Sequence, residues 1–582
     1  MDRRQQIEHS VRWIQRLKTV LLIAAVAVIV LEHGGRQLEA WLGSFAPVFA
    51  AVTMALLLVG LRVRYVWDQD RAAFLQERRG EIAVATVWFV GLFGACYWGF
   101  WRDWSEFCTL ASATLALARS LRLIAAGRIN PALVFVGSFA ALITLGSVLL
   151  MLPACHTAAN ANEGLGETAL AALFTSTSAC CVTGLTIVDT GSYWSRTGQV
   201  VILSLFQIGG LGIMSFGAFF ALGSKRGLQL KESVFLGSLY EADQLHQIRR
   251  LVVSVLLFTV IAELIGTLLL TGLWPEKPWS ERLFFGLFHA VSAFCNAGFS
   301  LMPANLEGIG HRWQIWGVLA PLIIVGGLGF AVLNNTSQFL FRECRRCVAA
   351  GKSKSAPRML MVTTRLVLVT TTALLLLGMA SVWALEARGV LRTQSLAQQA
   401  ANSWFQSVTF RTAGFNSVPQ DKLSPGTKLL GIGLMFIGGS PGSTAGGVKT
   451  VATALSFLAL FALLRGRDRV EVWHRRIPDS QVQRAAMIIT LAAVIVLTGT
   501  FLVVQIENQP GKFLDHLFEV VSACATVGLS TVNSATLQPA SKLVLVACMF
   551  IGRVGPITLL LAVGGSDTAR PYDYPKERVM LG

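Results

Sequence analysis

Long apolar runs set the plan of this chain. From Asn130 onward they recur at roughly 131–153, 198–222, 249–274, 311–341, 360–385, 426–464, 485–506 and 540–564. Each is long enough to cross a hydrocarbon core of about 30 Å as a helix. Ahead of them, shorter candidates occupy about 19–33, 42–61, 82–101 and 107–127. Arg119 and Arg122 interrupt the last of these, which fits an interfacial helix with snorkelling arginines better than a voltage sensor. Four further apolar stretches run for only about a dozen residues: Thr168–Ala179, Arg282–Ala293, Ala397–Thr409 and Phe513–Ala523. They are too short to span and suit re-entrant half-helices. The pattern predicts an all-α polytopic membrane protein, because backbone in lipid must satisfy its own hydrogen bonds.

The polar positions orient the spans. Lys225, Arg226, Lys231, Arg249 and Arg250 form one basic cluster, and Arg342, Arg345, Arg346, Lys352, Lys354 and Arg358 a second. Arg465, Arg467, Arg469, Arg475 and Arg476 form a third, and the tail carries Arg570, Lys576 and Arg578. By the positive-inside rule all four lie in the cytoplasm, with both termini. The intervening connections, Cys155–Glu167 for example, are poor in Lys and Arg and face out. Arg3 to Lys18 followed by the apolar Thr19–Leu31 resembles a signal peptide but lacks a small-residue cleavage site, so it reads as a retained first helix.

Composition narrows the function. Only 14% of residues are charged, against about 25% in soluble chains, and the net charge of +17 resides in the connections between spans. That distribution argues for membrane topology and against nucleic-acid binding. The eight histidines are scattered and form no catalytic cluster, which argues against an enzyme. Ten cysteines make no disulfide framework, and Cys180, Cys181, Cys295, Cys524 and Cys548 fall in apolar segments where a thiol packs as a small hydrophobe. Cys344 and Cys347 form a C-x-x-C in a basic loop without a second ligand pair.

A repeat carries the functional argument. Each half-length stretch ends in Ser followed by a short strand with glycine: Ser178 to Val182-Thr183-Gly184, Ser292 to Asn296-Ala297-Gly298, Ser407 to Thr412-Ala413-Gly414, and Ser522 to Thr526-Val527-Gly528. The third is one residue longer. The glycines lie 114, 116 and 114 residues apart (184 to 298, 298 to 414, 414 to 528). Packing glycines would not recur at one spacing after four matching stretches. Four such strands around one axis would present rings of carbonyl oxygens that replace the hydration shell of a monovalent cation. Non-helical backbone at membrane depth is tolerated where it lines a watery cavity.

Three other features stand out. In the run 426–464, residues Gly438, Gly439, Ser440, Pro441, Gly442, Ser443, Thr444, Ala445, Gly446 and Gly447 include six Gly or Pro, so the helix must break there. An unwound stretch at midplane is what a moving gate needs, although a simple kink is the plainer alternative. Gly442 to Thr450 is a near miss for a phosphate loop, with Val448 intruding before Lys449, so no nucleotide site is expected. Arg553 lies inside the last apolar run, where a charge must face a pore or a partner such as Glu263. Asp515 and Glu519, in the fourth half-length stretch, would concentrate cations at the mouth or else serve as solvated or capping residues.

Over about residues 130–570 the sequence resembles the membrane subunit, TrkH/KtrB type, of the Trk/Ktr/HKT superfamily of potassium transporters. The resemblance rests on the four strands, on Arg411-Thr-Ala-Gly-Phe-Asn416, on 438–447 and on Arg553. It implies K⁺ as the transported ion, because glycine occupies all four filters. It implies that 438–447 with Lys449 forms a gate beneath the filter and that Arg553 repels K⁺ there. It also implies a homodimer in the bacterial inner membrane and a cytosolic ring of nucleotide-binding regulatory subunits, docked on the basic loops. The expected organisation is an N-terminal transmembrane extension (1–129), four pore repeats (130–223, 249–341, 359–465 and 484–566) and a cytoplasmic tail (567–582). An ion-coupled carrier for another solute is the alternative.

Overall fold

The computed structural model describes residues 131–157, 164–223, 245–348 and 360–563, together with Thr86. The four N-terminal candidate spans and the tail lie outside the described residues. Fifteen α-helices make up most of what is described.

Among the described residues, four helices are long and apolar enough to cross a membrane: α1 (Pro131–Leu150), α4 (Leu245–Leu270), α8 (Val362–Glu386) and α12 (Asp479–Glu507). Only 22–33% of their apolar windows is buried inside the chain, so most of each faces outward toward lipid. The half-length stretches form α2 (Leu165–Cys180), α5 (Trp279–Phe294), α9 (Leu396–Thr409) and α13 (Phe513–Cys524). After each comes a non-helical strand and then an inner helix: α3 (Arg196–Gly223), α6 and α7 (Ala320–Leu328, Phe330–Val348), α10 and α11 (Pro425–Phe436, Thr450–Leu464), and α14 and α15 (Pro539–Val554, Pro556–Val563). A two-stranded hairpin, β1 (Glu471–Val472) with β2 (Arg475–Arg476), connects α11 to α12.

Small residues let these layers approach. Gly146, Gly266, Gly378 and Gly499 lie on the outer helices α1, α4, α8 and α12. A β-carbon there would meet Ser176 and Leu205, Ala290 and Leu322, Ser407 and Leu434, or Val520 and Cys548. In each case the first neighbour belongs to the half-helix and the second to the inner helix. On the inner side, a β-carbon at Gly209, Gly326 or Gly552 would strike the carbonyl of Cys180, Phe294 or Cys524, the last residue of its half-helix. The half-helices are therefore wedged between outer and inner helices, and Phe174, Phe288, Phe294, Phe405 and Phe518 on them are fully buried.

Three inner helices are broken. The interruption expected at 438–447 is present, between α10 and α11. The run 311–341, expected as one span, instead bends by 105° at Gly329, whose φ is +82°. The run 540–564 likewise breaks at Gly555-Pro556, where glycine takes φ +89° and proline restarts the helix at its first position. Cys344 and Cys347, expected in a loop, lie in the last turns of α7.

Candidate functional site

All four half-helices end at the same kind of strand. Each strand has a left-handed residue, a residue with negative φ, and then a left-handed glycine. The φ values are 56° and 89° at Val182 and Gly184, 57° and 68° at Asn296 and Gly298, 66° and 82° at Thr412 and Gly414, and 49° and 96° at Thr526 and Gly528. Left-handed φ costs a side-chain-bearing residue roughly 1–2 kcal/mol, so the surroundings must enforce it four times over. Part of that enforcement is visible. Thr183, Ala297 and Val527 donate their backbone N–H to the carbonyls of Ser178, Ser292 and Ser522 at 2.7, 2.7 and 2.8 Å. The Ser178 and Ser522 hydroxyls accept from the N–H of Gly184 and Gly528 at 3.1 Å, and Ser292 donates to Phe299 O at 2.9 Å.

The third strand departs from this pattern. Thr409, not Ser407, holds its strand, donating to Phe415 O at 2.8 Å. Ser407 turns outward and donates to Leu375 O in α8 at 2.7 Å. Ser407 thus stands where Ser176 does, which donates to Ile143 O. Counted from Thr409 the glycine comes five residues on rather than six, so the third strand, expected to be one residue longer, is one residue shorter. Arg411 in it is buried and donates from Nη2 to Gly438 O at 2.9 Å.

The strands meet in a closed ring. A β-carbon on Gly184 would lie 3.0 Å from Gly298 Cα, one on Gly298 2.8 Å from Gly414 Cα, one on Gly414 3.3 Å from Gly528 Cα, and one on Gly528 3.0 Å from Gly184 Cα. At these junctions stand four backbone oxygens, those of Ala297, Ala413, Val527 and Thr183, each from the residue preceding a ring glycine. The C-terminal ends of all four half-helices abut this ring. Each carries roughly half a negative charge from its unpaired carbonyls. Oxygen dipoles and helix ends of one sign at a single point favour a cation. Among the described residues, the buried hydroxyls of Thr183, Thr412 and Thr526 have no hydrogen-bond partner.

Residues 437–449 pack against one side of this ring. Gly438 N–H donates to Val448 O and Gly439 N–H to Gly446 O, which close the loop on itself. Ser440 N–H donates to Gly327 O at 3.0 Å, and Thr444 N–H to Gly326 O at 3.2 Å. Those carbonyls lose their helical partners because α6 ends at Leu328. Phe330 N–H, at the start of α7, donates to Gly442 O at 3.2 Å, and a β-carbon on Gly329 would lie 2.5 Å from Pro441 O. The Thr444 hydroxyl reaches Phe294 O and Asn296 Oδ1 at 3.1 and 3.3 Å. Ser443 donates to Ser440 O, and Lys449 Nζ to Ala445 O at 2.7 Å. Gly447 is left-handed, and a β-carbon on Gly446 would collide with Thr526 Oγ1 and Ala525 O. The loop thus sits against the entrance to the fourth strand and is bonded to the broken second inner helix.

Arg553 ties three inner helices together. It is 4% exposed, and its guanidinium donates to Thr444 O at 2.6 Å and to Gly209 O at 2.8 Å. Glu263, considered above as its partner, accepts from Gln207 Nε2 at 3.2 Å instead. Gln207 Oε1 in turn accepts from the Cys295 thiol at 3.2 Å. Asp515 forms an ion pair with Lys428 at 2.7 Å, and Glu519 is fully buried, so neither is a free carboxylate at a mouth.

Residues 135–567 match the TrkH family of cation transport proteins, about three-quarters of the chain. The chain belongs to that family. Among curated TrkH-related proteins it is 33% identical to the potassium/sodium uptake protein NtpJ of Enterococcus hirae, over 78% of this chain and 98% of NtpJ. It is 34% identical to the Ktr system potassium uptake protein B of Vibrio alginolyticus, over 76% and 93%. It is 35% identical to protein B of the Bacillus subtilis Ktr system, over 78% and 97%. The fold matches the crystal structure of the potassium transporter TrkH from Vibrio parahaemolyticus with a TM-score of 0.57, at 16% identity, over 89% of this chain and 97% of that one. A TrkH-family chain with these apolar helices is a multi-pass membrane protein of the potassium/sodium uptake class.

Two residues at this site escaped the sequence reading. Arg411 stood inside a recognised motif, and its signal was a charge in an apolar stretch. Thr409 gave no signal, because a serine two residues earlier matched the other three segments.

Proposed function

We propose that this protein takes up K⁺ across the bacterial inner membrane, with both termini in the cytoplasm, through the ring formed by Val182–Gly184, Asn296–Gly298, Thr412–Gly414 and Thr526–Gly528. The observation that carries the reading is the closed contact of the four ring glycines, each junction holding one backbone oxygen. Backbone oxygens in this arrangement substitute for water around a monovalent cation. The four surrounding units are read as repeats of one helix, half-helix, strand and helix plan. The membrane potential supplies the drive, about 2.3 kcal/mol per charge per 100 mV.

Residues 438–447 with Lys449 act as the gate. In the closed state the loop is held by the carbonyls of Gly326 and Gly327, by Phe330 N–H and by Arg553. Opening requires these bonds to part and the loop to leave the ring's inner side, while the charge of Arg553 opposes K⁺ until it moves. The Ktr system names of the relatives support a further component, read here as a cytosolic ring of nucleotide-binding regulatory subunits. Its docking surface is the basic loops at 223–250, 342–365 and 465–484, and the membrane subunit works as a homodimer. NtpJ's naming for both potassium and sodium favours a second reading, in which Na⁺ also passes.

The test is growth at low K⁺ of cells lacking other K⁺ uptake, with K⁺ and Na⁺ influx measured together. K⁺-dependent rescue is expected. Saturable uptake of some other solute, without cation flux sensitive to the ring glycines, would establish the carrier alternative instead.

A further inference from the structure

Thr175, His289, Gln406 and Glu519 occupy equivalent places on the four half-helices. Each immediately precedes the residue that meets the outer-helix glycine, namely Ser176, Ala290, Ser407 or Val520. All four are buried, and all four are polar. Three of them reach past their own ring glycine to the segment that leaves the ring. His289 Nε2 lies 3.1 Å from Ser300 Oγ. Gln406 exchanges hydrogen bonds with Gln420 at 2.7 and 3.1 Å. Glu519 receives two serine hydroxyls, Ser530 on Oε2 and Ser534 on Oε1, both at 2.6 Å. Ser300 and Ser530 each stand two residues after a ring glycine. The Thr175 hydroxyl has no hydrogen-bond partner among the described residues.

We infer that Glu519, with His289 and Gln406, fixes the width of the ring and so its choice among monovalent cations. These are positioning residues, and the inference rests on the ring being the cation path. A strand with left-handed residues on both sides of its central position is strained and must be held at both ends. Its inner end is the half-helix itself, and the hydroxyls of Ser178, Ser292, Thr409 and Ser522 tie the ring glycine or the residue just after it. The segment that leaves the ring beyond these ties needs a further hold. The polar side chain on the half-helix supplies that hold at three of the four strands, closing a brace from helix to post-ring segment behind the second, third and fourth. Glu519 makes the strongest of the braces, because both carboxylate oxygens are engaged by short hydroxyl bonds in a dry setting. The gate loop also touches the fourth strand, where a β-carbon on Gly446 would collide with Thr526. That strand's brace keeps the ring in register while the loop moves. The second strand faces the fourth across the ring, so His289 and Glu519 brace opposite walls.

The experiment uses the full-length protein in proteoliposomes, with K⁺ and Na⁺ influx measured over a concentration series. Glu519→Gln keeps the shape but replaces one acceptor oxygen with a donor. It should raise KM for K⁺ about tenfold and lower the K⁺/Na⁺ ratio about tenfold, with Vmax within about twofold of the parent. Glu519→Asp should recover part of that loss. The double variant Ser530→Ala with Ser534→Ala should reproduce it, and decides the matter should Glu519→Gln fail to insert. Asp515→Asn, one turn away on the same helix, should leave the ratio unchanged. Parental KM and ratio in the Glu519 or serine variants would overturn the inference, as would an equal loss of K⁺ and Na⁺ flux. Gly298→Ser measured alongside separates the two levels. If it shifts the ratio while the Glu519 and serine variants do not, only the brace is wrong. If it too leaves the ratio unchanged, the ring reading falls with it.

Discussion

A serine at position 298 places a side chain where the structure has least room for one. Gly298 has φ +68°, and its β-carbon would lie 2.8 Å from Gly414 Cα and 2.9 Å from Ala413 O, whereas ordinary contact starts at 3.4 Å. The third strand must therefore retreat by about 0.6 Å, or the second must rotate its peptide to leave the left-handed region. Holding the left-handed conformation costs roughly 1–2 kcal/mol, a modest sum that the surrounding packing can sustain, so the variant should fold. Either relief moves a ring oxygen. A change of about 1–2 kcal/mol in how the ring solvates K⁺ relative to Na⁺ corresponds to roughly 5–30-fold in selectivity. Influx of the two ions into proteoliposomes, at matched amounts of reconstituted protein, should show that fall, with K⁺ KM rising more than Na⁺ KM. An unchanged ratio and unchanged K⁺ KM in a normally inserted Gly298→Ser protein would refute the reasoning.

Further outcomes follow from the same geometry. Arg553→Ala removes guanidinium bonds worth about 1.5–3 kcal/mol each, so uptake without a regulatory partner should rise about tenfold or more; slower uptake in a normally folded variant would contradict the barrier role. Gly446→Ala puts a methyl group against Thr526 Oγ1 and Ala525 O and should unseat the loop, giving a similar gain in basal flux, which uptake assays would detect. Glu386 Oε1 accepts from Ser424 N–H at 2.9 Å, and Glu507 Oε1 from Gln538 N–H at 2.8 Å, each joining an outer helix to the cap of the next inner helix. Glu386→Gln and Glu507→Gln should each lower thermal stability in detergent by the equivalent of about 1–3 kcal/mol while leaving the K⁺/Na⁺ ratio intact.

Helix lengths were legible because the hydrocarbon core imposes them: a dozen apolar residues cannot span, and the four such stretches became α2, α5, α9 and α13. The ring glycines were legible because chain direction reverses at a fixed point in every unit, which holds their spacing nearly constant. The breaks at Gly329 and Gly555 were not, because hydropathy runs continuously through both and a bend changes no side chain's polarity. Gly326-Gly327-Leu-Gly329 and Gly555-Pro556 were the local cues, but glycine-rich stretches also pack straight inside membranes. The surroundings of Glu519 and Asp515 were not legible, for a different reason. A carboxylate near a half-helix reads alike whether it meets water, a lysine or two serines, and its partners Lys428, Ser530 and Ser534 come from other elements. Thr409 was missed because Ser407 matched the serines of the other segments, whereas in the fold Ser407 takes the place of Ser176, each donating to an outer-helix carbonyl. Arg411 was not placed because its partner Gly438 lies 27 positions away.

The central claim is that a dehydrated cation occupies the axis of the four glycine strands. Crystals of the full-length protein grown with Rb⁺ or Tl⁺ in place of K⁺ test it directly by anomalous scattering. A peak on the axis among Gly184, Gly298, Gly414 and Gly528, within bonding reach of the Thr183, Ala297, Ala413 and Val527 carbonyls, is the expected result. Strong peaks elsewhere in the membrane region with none at the ring would contradict it.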